Sequence, residues 1–318
     1  MRAGPAKAGP AASDPAASDP AASDPAASDP AASDPAASDP AASDPMAGDR
    51  PRLVATDLDG TLVRSDGTIS ARTVAAVRRV LSQGAEVVFV TGRPPRKMTD
   101  ISRVFGARGL AICSNGALVH DLATRRPVIE RLIDPATLTE AAARLRAAVP
   151  GIGLAVEYAT ELASDERYEP WEWDADVTLR RLPDAELLAR PAPKLLGRHD
   201  RLPADRLVEL AAPHLGDLVT VYHSNGLRLV EAIAKETSKA TALAHLAAGL
   251  GIRAADVVAF GDMPNDLPML RWAGRSYGMA NAHPSVLAGV TSVIGRNDDD
   301  GVAKVLEQLF PLTATPTP

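Results

Sequence analysis

The sequence predicts an α/β fold: a doubly wound, Rossmann-like parallel-sheet core with an inserted α+β unit. Three observations predict it. Short apolar runs alternate with Ala/Leu/Arg-rich helical stretches over residues 52–123 and again over 224–310, as strand–helix–strand crossovers require. Most of these runs end in a small polar segment containing Gly, Asp, Asn or Thr. Between the two blocks, over 124–223, the texture changes to helices, short alternating segments and many prolines, which reads as a separate inserted unit.

Each element has its own signal. Arg52–Thr56 is a buried strand running into Asp57. Ser70–Gln83 carries Val74, Val77, Val80 and Leu81 at helical spacing, with Ser70 placed to cap the first turn and Gly84 ending the helix. Glu86–Val90 is a second strand, entering Thr91-Gly92-Arg93, and Leu110–Cys113 a third, entering Ser114-Asn115-Gly116. In the insert, Pro135–Ala148 and Ala204–Ala212 read as helices. In the last block Ser238–Leu250 is an amphipathic helix and Val257–Phe260 a strand entering Gly261-Asp262. Pro264–Trp272 and Gly301–Phe310 are two further helices.

Composition narrows the class. Residues 11–45 are seven copies of Ala-Ala-Ser-Asp-Pro, with no large apolar side chain to offset the entropy of ordering. Residues 1–45 are therefore expected to form a disordered tail, with Met46 a candidate start of the functional chain. The tail holds seven Asp against Arg2 and Lys7; removing them from the 34 Lys+Arg and 40 Asp+Glu leaves 32 and 33. A nearly neutral body argues against a nucleic-acid partner held by charge. The single cysteine, Cys113, forbids an internal disulfide and fits a reducing, cytoplasmic setting; its apolar run predicts a buried, inert thiol. No apolar stretch reaches membrane-spanning length, so no membrane partner is expected. The oligomeric state is not legible.

The polar clusters stand at strand ends, where open parallel sheets place their ligands. In Asp57-Leu58-Asp59-Gly60-Thr61, a carboxylate at a strand end can attack phosphorus, and a second one two residues on can serve as acid and base. An ordinary Asp-Gly turn explains the same residues equally well. In Gly261-Asp262-Met263-Pro264-Asn265-Asp266, the carboxylates offer oxygen ligands for magnesium, although Asp and Asn are also common at helix N-termini. Thr91, Gly92 and Arg93 can cradle a phosphate or form a plain turn. Lys239, with Lys235 as its rival, can neutralise phosphorus or be a solvated lysine. Tyr168, Trp171 and Trp173 fit a wall of a leaving-group site but fit the core of the insert better. The six histidines show no paired metal spacing and read as structural or surface residues; Asn297-Asp298-Asp299-Asp300-Gly301 reads as a solvated turn before the last helix.

Together, in this order, the clusters resemble the haloacid dehalogenase superfamily. Asp-Leu-Asp-Gly-Thr, Thr91, Lys239 and Gly-Asp-Met-Pro-Asn-Asp match its four motifs. Ser114-Asn115-Gly116-Ala117, Met279-Ala280-Asn281-Ala282 and Asn297–Ala303 resemble its Cof-like branch. Ala240 departs from the glycine that often follows the lysine of the third motif. The resemblance implies a phosphatase acting on small-molecule phosphate monoesters, such as sugar phosphates or phosphorylated cofactors. Asp57 would be the nucleophile and Asp59 the acid/base. Mg²⁺ would be held by Asp57, the Asp59 carbonyl, Asp262 and, through water, Asp266. Thr91, Gly92, Asn115 and Lys239 would bind the phosphoryl group, Asn265 would orient its neighbours, and the insert would be a cap that selects the substrate. The alternatives are a phosphotransferase or mutase on the same core, and a non-catalytic phospho-accepting regulator, against which Asp59 argues.

Overall fold

The computed structural model of the chain describes residues 50–106, 108–171, 174, 177–224 and 226–312. The repeat tail, Met46 and Trp173 lie outside the described residues.

Fourteen strands form two sheets among the described residues. They run β1 Leu53–Thr56, β2 Glu86–Val90, β3 Leu110–Cys113, β4 Leu118–Asp121, β5 Arg126–Glu130, β6 Gly153–Glu157 and β7 Leu162–Ser164. The rest are β8 Leu179–Arg181, β9 Lys194–Arg198, β10 Val219–Tyr222, β11 Leu229–Ala234, β12 Val257–Gly261, β13 Arg275–Met279 and β14 Val293–Ile294. The α-helices are α1 Ala71–Ser82, α2 Thr99–Phe105, α3 Pro135–Ala148, α4 Asp184–Leu187, α5 Ala204–Leu215, α6 Lys239–Gly249, α7 Leu267–Trp272, α8 Pro284–Gly289 and α9 Gly301–Leu309.

The larger sheet has the order β14-β13-β12-β1-β2-β3-β4-β5. It is parallel from β14 to β3, and a β4–β5 hairpin adds two antiparallel strands at one edge. β1 is apolar on both faces because it lies between β12 and β2 and is buried along its whole length. Its register pairs Thr56 with Phe260 on one side and Phe89 on the other. Asp57, Asp262 and Thr91 therefore leave the sheet on one rim within two residues of those pairs. α1 begins at Ser70, whose hydroxyl accepts from the Thr73 amide. Its inward stripe is Thr73, Ala76, Val77 and Val80, whereas Leu81, expected on that face, is exposed.

The smaller sheet, β10-β11-β9-β6-β7-β8, is mostly antiparallel and carries its own core with α3 and α5. Its extent differs from the expected 124–223. Arg126–Glu130 pairs with β4 of the large sheet, and Leu229–Ala234, beyond 223, is a member of the small one. Two local causes hid this. The Asp121 carboxylate accepts from the Ala123 and Thr124 amides, so the start of the expected insert is a tight hairpin turn that returns β5 to the large sheet. Leu229–Ala234 lies beyond the texture change at 223, yet it pairs with β10 and β9. α5 also runs past Ala212 to Leu215 despite Pro213, continuing the buried stripe of Leu207, Ala211 and Leu215. Cys113 is fully buried, and desolvation pushes its thiol up to about 12, so it stays protonated. No helix among the described residues is long and apolar enough to cross a membrane.

Candidate active site

The rim of the large sheet brings Asp57, Asp262 and Asp266 together, with carboxylate oxygens mutually within 4.8 Å. Lys239, at the first turn of α6, bridges two of them: its Nζ lies 2.6 Å from Asp57 Oδ1 and 2.6 Å from Asp266 Oδ1. Ser238 caps α6 and aims that turn, accepting from the Thr241 amide while the Thr241 hydroxyl oxygen accepts from the Ser238 amide. Lys235 is elsewhere, donating to the Asp217 carbonyl at 3.0 Å. All four charges are buried. Desolvation raises Asp57 to about 7, partly opposed by Lys239 and assisted by Asp266 and Asp59. Desolvation together with the charges of Asp57 and Asp266 raises Asp262 to about 9. Lys239 is held above its ordinary value, because the two carboxylates outweigh its own desolvation.

When ionised, the three carboxylates exceed the single ammonium by two negative charges, and this oxygen-only donor set fits a hard divalent cation. Further fixing comes from hydrogen bonds. Thr61 Oγ1 donates to Asp262 Oδ1 at 3.0 Å, and Asp266 Oδ2 accepts from the Asp262 and Met263 amides at 3.1 and 3.0 Å. Gly60 sits at φ +78°, and a Cβ there would overlap the Asp262 carboxylate; the glycine is required for that carboxylate to reach the site.

The neighbouring loop is backbone-strained. Ser114, Asn115 and Gly116 have φ of 47°, 55° and 103° in succession. The Asn115 amide donates to the Thr91 carbonyl at 3.0 Å, and its side-chain oxygen accepts from Asn265 Nδ2 at 2.8 Å. Among the described residues, Asn115 Nδ2 and Asn265 Oδ1 are buried without a hydrogen-bond partner. A buried unpaired donor beside Gly92 is a ready hydrogen bond for an anionic oxygen. Thr91 is buried, and its hydroxyl oxygen accepts from the Arg93 amide at 3.0 Å.

Asp59 and Arg93 are placed differently from the others. Arg93 Nε donates to Asp59 Oδ2 at 2.8 Å and Nη2 to Oδ1, forming a two-pronged pair at the mouth of the site; the Asp59 side chain is 56% exposed. Asp59 thus stands outside the buried carboxylate cluster, and Arg93 faces a carboxylate. Burial lowers the Arg93 guanidinium, but the Asp59 contacts outweigh it and leave it raised.

A cavity of about 480 Å³ extends from Asp57, Gly92 and Lys239 under the insert. Its far wall holds charges that sequence reading missed. Lys194 Nζ contacts Glu231 at 2.6 Å, Glu157 at 3.3 Å and the Gly92 carbonyl at 2.8 Å. Arg96 pairs with Glu157 at 2.9 Å and donates to the Tyr158 carbonyl. These residues lie in strands β6, β9 and β11 and in the turn before α2, with no shared spacing to mark them. Tyr168 lines this cavity and is buried in a cluster with Ala155, Leu162, Leu196 and Leu229, the placement expected of the insert's core. Trp171 lies under the Arg198 guanidinium, 3.9 Å from the ring centre. The Asn297–Gly301 turn is not simply solvated. Asn297 is buried and its side chain donates to the Val63 carbonyl at 3.0 Å, while its amide donates to Asn281 Oδ1. Asn281 in turn donates to the Gly60 carbonyl at 2.8 Å, so the turn braces the loop after β1.

A family model for haloacid dehalogenase-like hydrolases matches residues 54–306. Among known proteins, the HMP-PP phosphatase of Yersinia enterocolitica is 28% identical, over 80% of this chain and 94% of its own. A 5-amino-6-(5-phospho-D-ribitylamino)uracil phosphatase of Bacillus subtilis is 27% identical, over 83% of this chain and 99% of its own. The crystal structure of a haloacid dehalogenase-like hydrolase from Bacteroides thetaiotaomicron superposes with a TM-score of 0.68 at 24% identity, covering 82% of this chain and all of that one.

Proposed function

The chain belongs to the haloacid dehalogenase-like hydrolase family, and on that premise we propose that it is a Mg²⁺-dependent phosphatase of small-molecule phosphate monoesters, working through a phospho-aspartate at Asp57. The observation that carries the reading is the Lys239 ammonium, 2.6 Å from both Asp57 and Asp266, with Asp262 in the same cluster. The relatives named as phosphatases support the reaction class, and their phosphorylated heterocyclic and sugar-alcohol names support a small-molecule substrate.

A divalent cation would be held by Asp57, Asp262 and the Asp59 carbonyl, with Asp266 through water, and would supply charge that lets two anions meet. The chain's own groups do the rest. Asp57 attacks phosphorus in line with the leaving oxygen, and Lys239 neutralises the charge spread over the phosphoryl oxygens. Asn115 Nδ2, Thr91 and the Gly92 backbone hold those oxygens, and Asn265 fixes the Asn115 amide so that its NH₂ faces them. Asp59 protonates the leaving oxygen, then takes a proton from water as that water attacks the acyl phosphate and frees Asp57. For this Asp59 must exchange Arg93 for the ester, and Arg93 then meets the substrate. The insert acts as a cap over residues of about 131–236 that covers the 480 Å³ cavity and excludes water before the first step.

The test is a panel of phosphorylated metabolites with Mg²⁺, followed by mass spectrometry of the intact chain. Asp57→Asn is expected to abolish phosphate release, and Asp59→Asn to accumulate a phosphoryl group on Asp57. Release that survives EDTA, or an Asp59→Asn chain that never carries phosphate while turnover continues, refutes the reading. Transfer of the phosphoryl group from Asp57 to a second hydroxyl of an added sugar phosphate, with no phosphate released, would move the assignment to a transferase or mutase.

A further inference from the structure

A second cluster of metal-ligating side chains stands apart from the catalytic carboxylates. His223 and His283 are 60 residues apart in sequence and share no paired metal spacing, yet both point Nε2 at one carboxylate. His223 Nε2 lies 2.8 Å from Asp205 Oδ1 and His283 Nε2 lies 3.3 Å from Asp205 Oδ2. One ligand atom from each of the three falls within 4.8 Å of the others. The His223 side chain is 3% exposed and that of His283 22%, while the Asp205 side chain is 62% exposed and leaves a solvent-facing side.

The three come from different parts of the fold. Asp205 is in the first turn of α5 and His223 follows β10, both in the insert. His283 caps α8 on the large sheet, and its amide donates to the Asp262 carbonyl at 2.8 Å. The cluster borders a cavity of about 550 Å³ that also reaches Asn115, Asn265 and Lys239.

We propose that Asp205, His223 and His283 form a second metal site, for a borderline divalent cation such as Zn²⁺ or Co²⁺, which clips the insert to the large sheet. Two imidazoles and one carboxylate with an open side suit such an ion, whereas the oxygen-only catalytic set suits Mg²⁺. Without the ion, each Nδ1 accepts a backbone amide, from Gly226 at 3.3 Å and Ser285 at 3.2 Å, so each Nε2 carries the proton directed at Asp205. Taking the ion moves each proton from Nε2 to Nδ1, and both rings stay neutral. At His283 the Ser285 amide contact gives way and the new Nδ1–H donates instead to Ser285 Oγ, 2.8 Å away, which fixes the ring. At His223 the Gly226 contact gives way likewise. The ion then holds the insert against the sheet, so the same occupancy that binds it slows the opening needed for release.

The test uses the full chain in excess Mg²⁺, which fills the catalytic carboxylates, and titrates Zn²⁺ by calorimetry. One Zn²⁺ per chain is expected, with two imidazole nitrogens at about 2.0 Å in the X-ray absorption spectrum. His283→Gln and Asp205→Asn are each expected to weaken it by roughly 100-fold. Far-UV circular dichroism checks that both variants fold, and Asp205→Asn, on an exposed face, serves if His283→Gln does not. Zn²⁺ at site-filling concentration is expected to slow the wild type and leave Asp205→Asn unaffected. No stoichiometric Zn²⁺ in excess Mg²⁺, equal binding in all three chains, or an oxygen-only spectrum overturns the proposal.

Discussion

Replacing Lys239 by Met keeps a long flexible side chain and removes the charge between Asp57 and Asp266. With an effective dielectric of 20, a contact of 2.6 Å carries roughly 6 kcal/mol of gross attraction, and there are two such contacts. Desolvation of the buried ions cancels most of that sum. The net loss expected from stranding buried carboxylates is about 3–5 kcal/mol. It should appear in urea unfolding of the EDTA-treated chain at pH 8, where Asp57 is largely ionised in the wild type. At pH 5 Asp57, already raised to about 7, is protonated, so the loss should shrink. In Mg²⁺, kcat should fall by about 10²–10³, the usual loss when one charge aimed at the reacting group is removed. Lys239→Met with wild-type stability at pH 8 and kcat within about threefold of wild type would refute the bridging role.

Three further outcomes follow from the same geometry. Asp57 and Asp262, raised to about 7 and about 9, bind protons more tightly in the folded chain than in the unfolded one. Their contribution to stability is full below the ordinary carboxylate range, near pH 4, and is lost as pH rises through 7 and 9. The EDTA-treated chain should therefore weaken from pH 5 to 9 and Mg²⁺ should restore more at the higher pH; urea midpoints across that range check the sign. Gly116→Ala places a Cβ on the Ser238 carbonyl at a φ of +103°. It should lose about 2–4 kcal/mol in thermal unfolding and disturb Asn115 and Lys239 together, whereas Gly67→Ala, with open space around it, should lose only about 1 kcal/mol. Arg93→Gln releases Asp59 and removes a contact to the substrate; KM should rise about tenfold, close to 1.4 kcal/mol, in steady-state assays.

Much of the large sheet was legible in the sequence because its signals are local. β2 and β3 have the expected bounds, and Ser70 and Ser238 cap the helices they precede. An apolar strand buried on both faces leaves an uninterrupted run, and a polar cluster directly after it marks the rim. Alone, those signals left ordinary turns and caps open; the family motifs they match singled out Asp57, Lys239, Asp262 and Asp266 and preferred Lys239 to Lys235.

What the sequence determined by itself, then, was the strand ends and the residue types that stand on them. The tertiary structure decided which charges meet. Lys194 with Glu157 and Glu231, Asp59 with Arg93, and Asp205 with two distant histidines are pairings across separate segments. Side-chain periodicity records which face of an element is buried, but it carries no term for what lies opposite. A charge finds its partner only once chain crossings bring it within a few ångströms, and those crossings are fixed by strand register and by the packing of the insert.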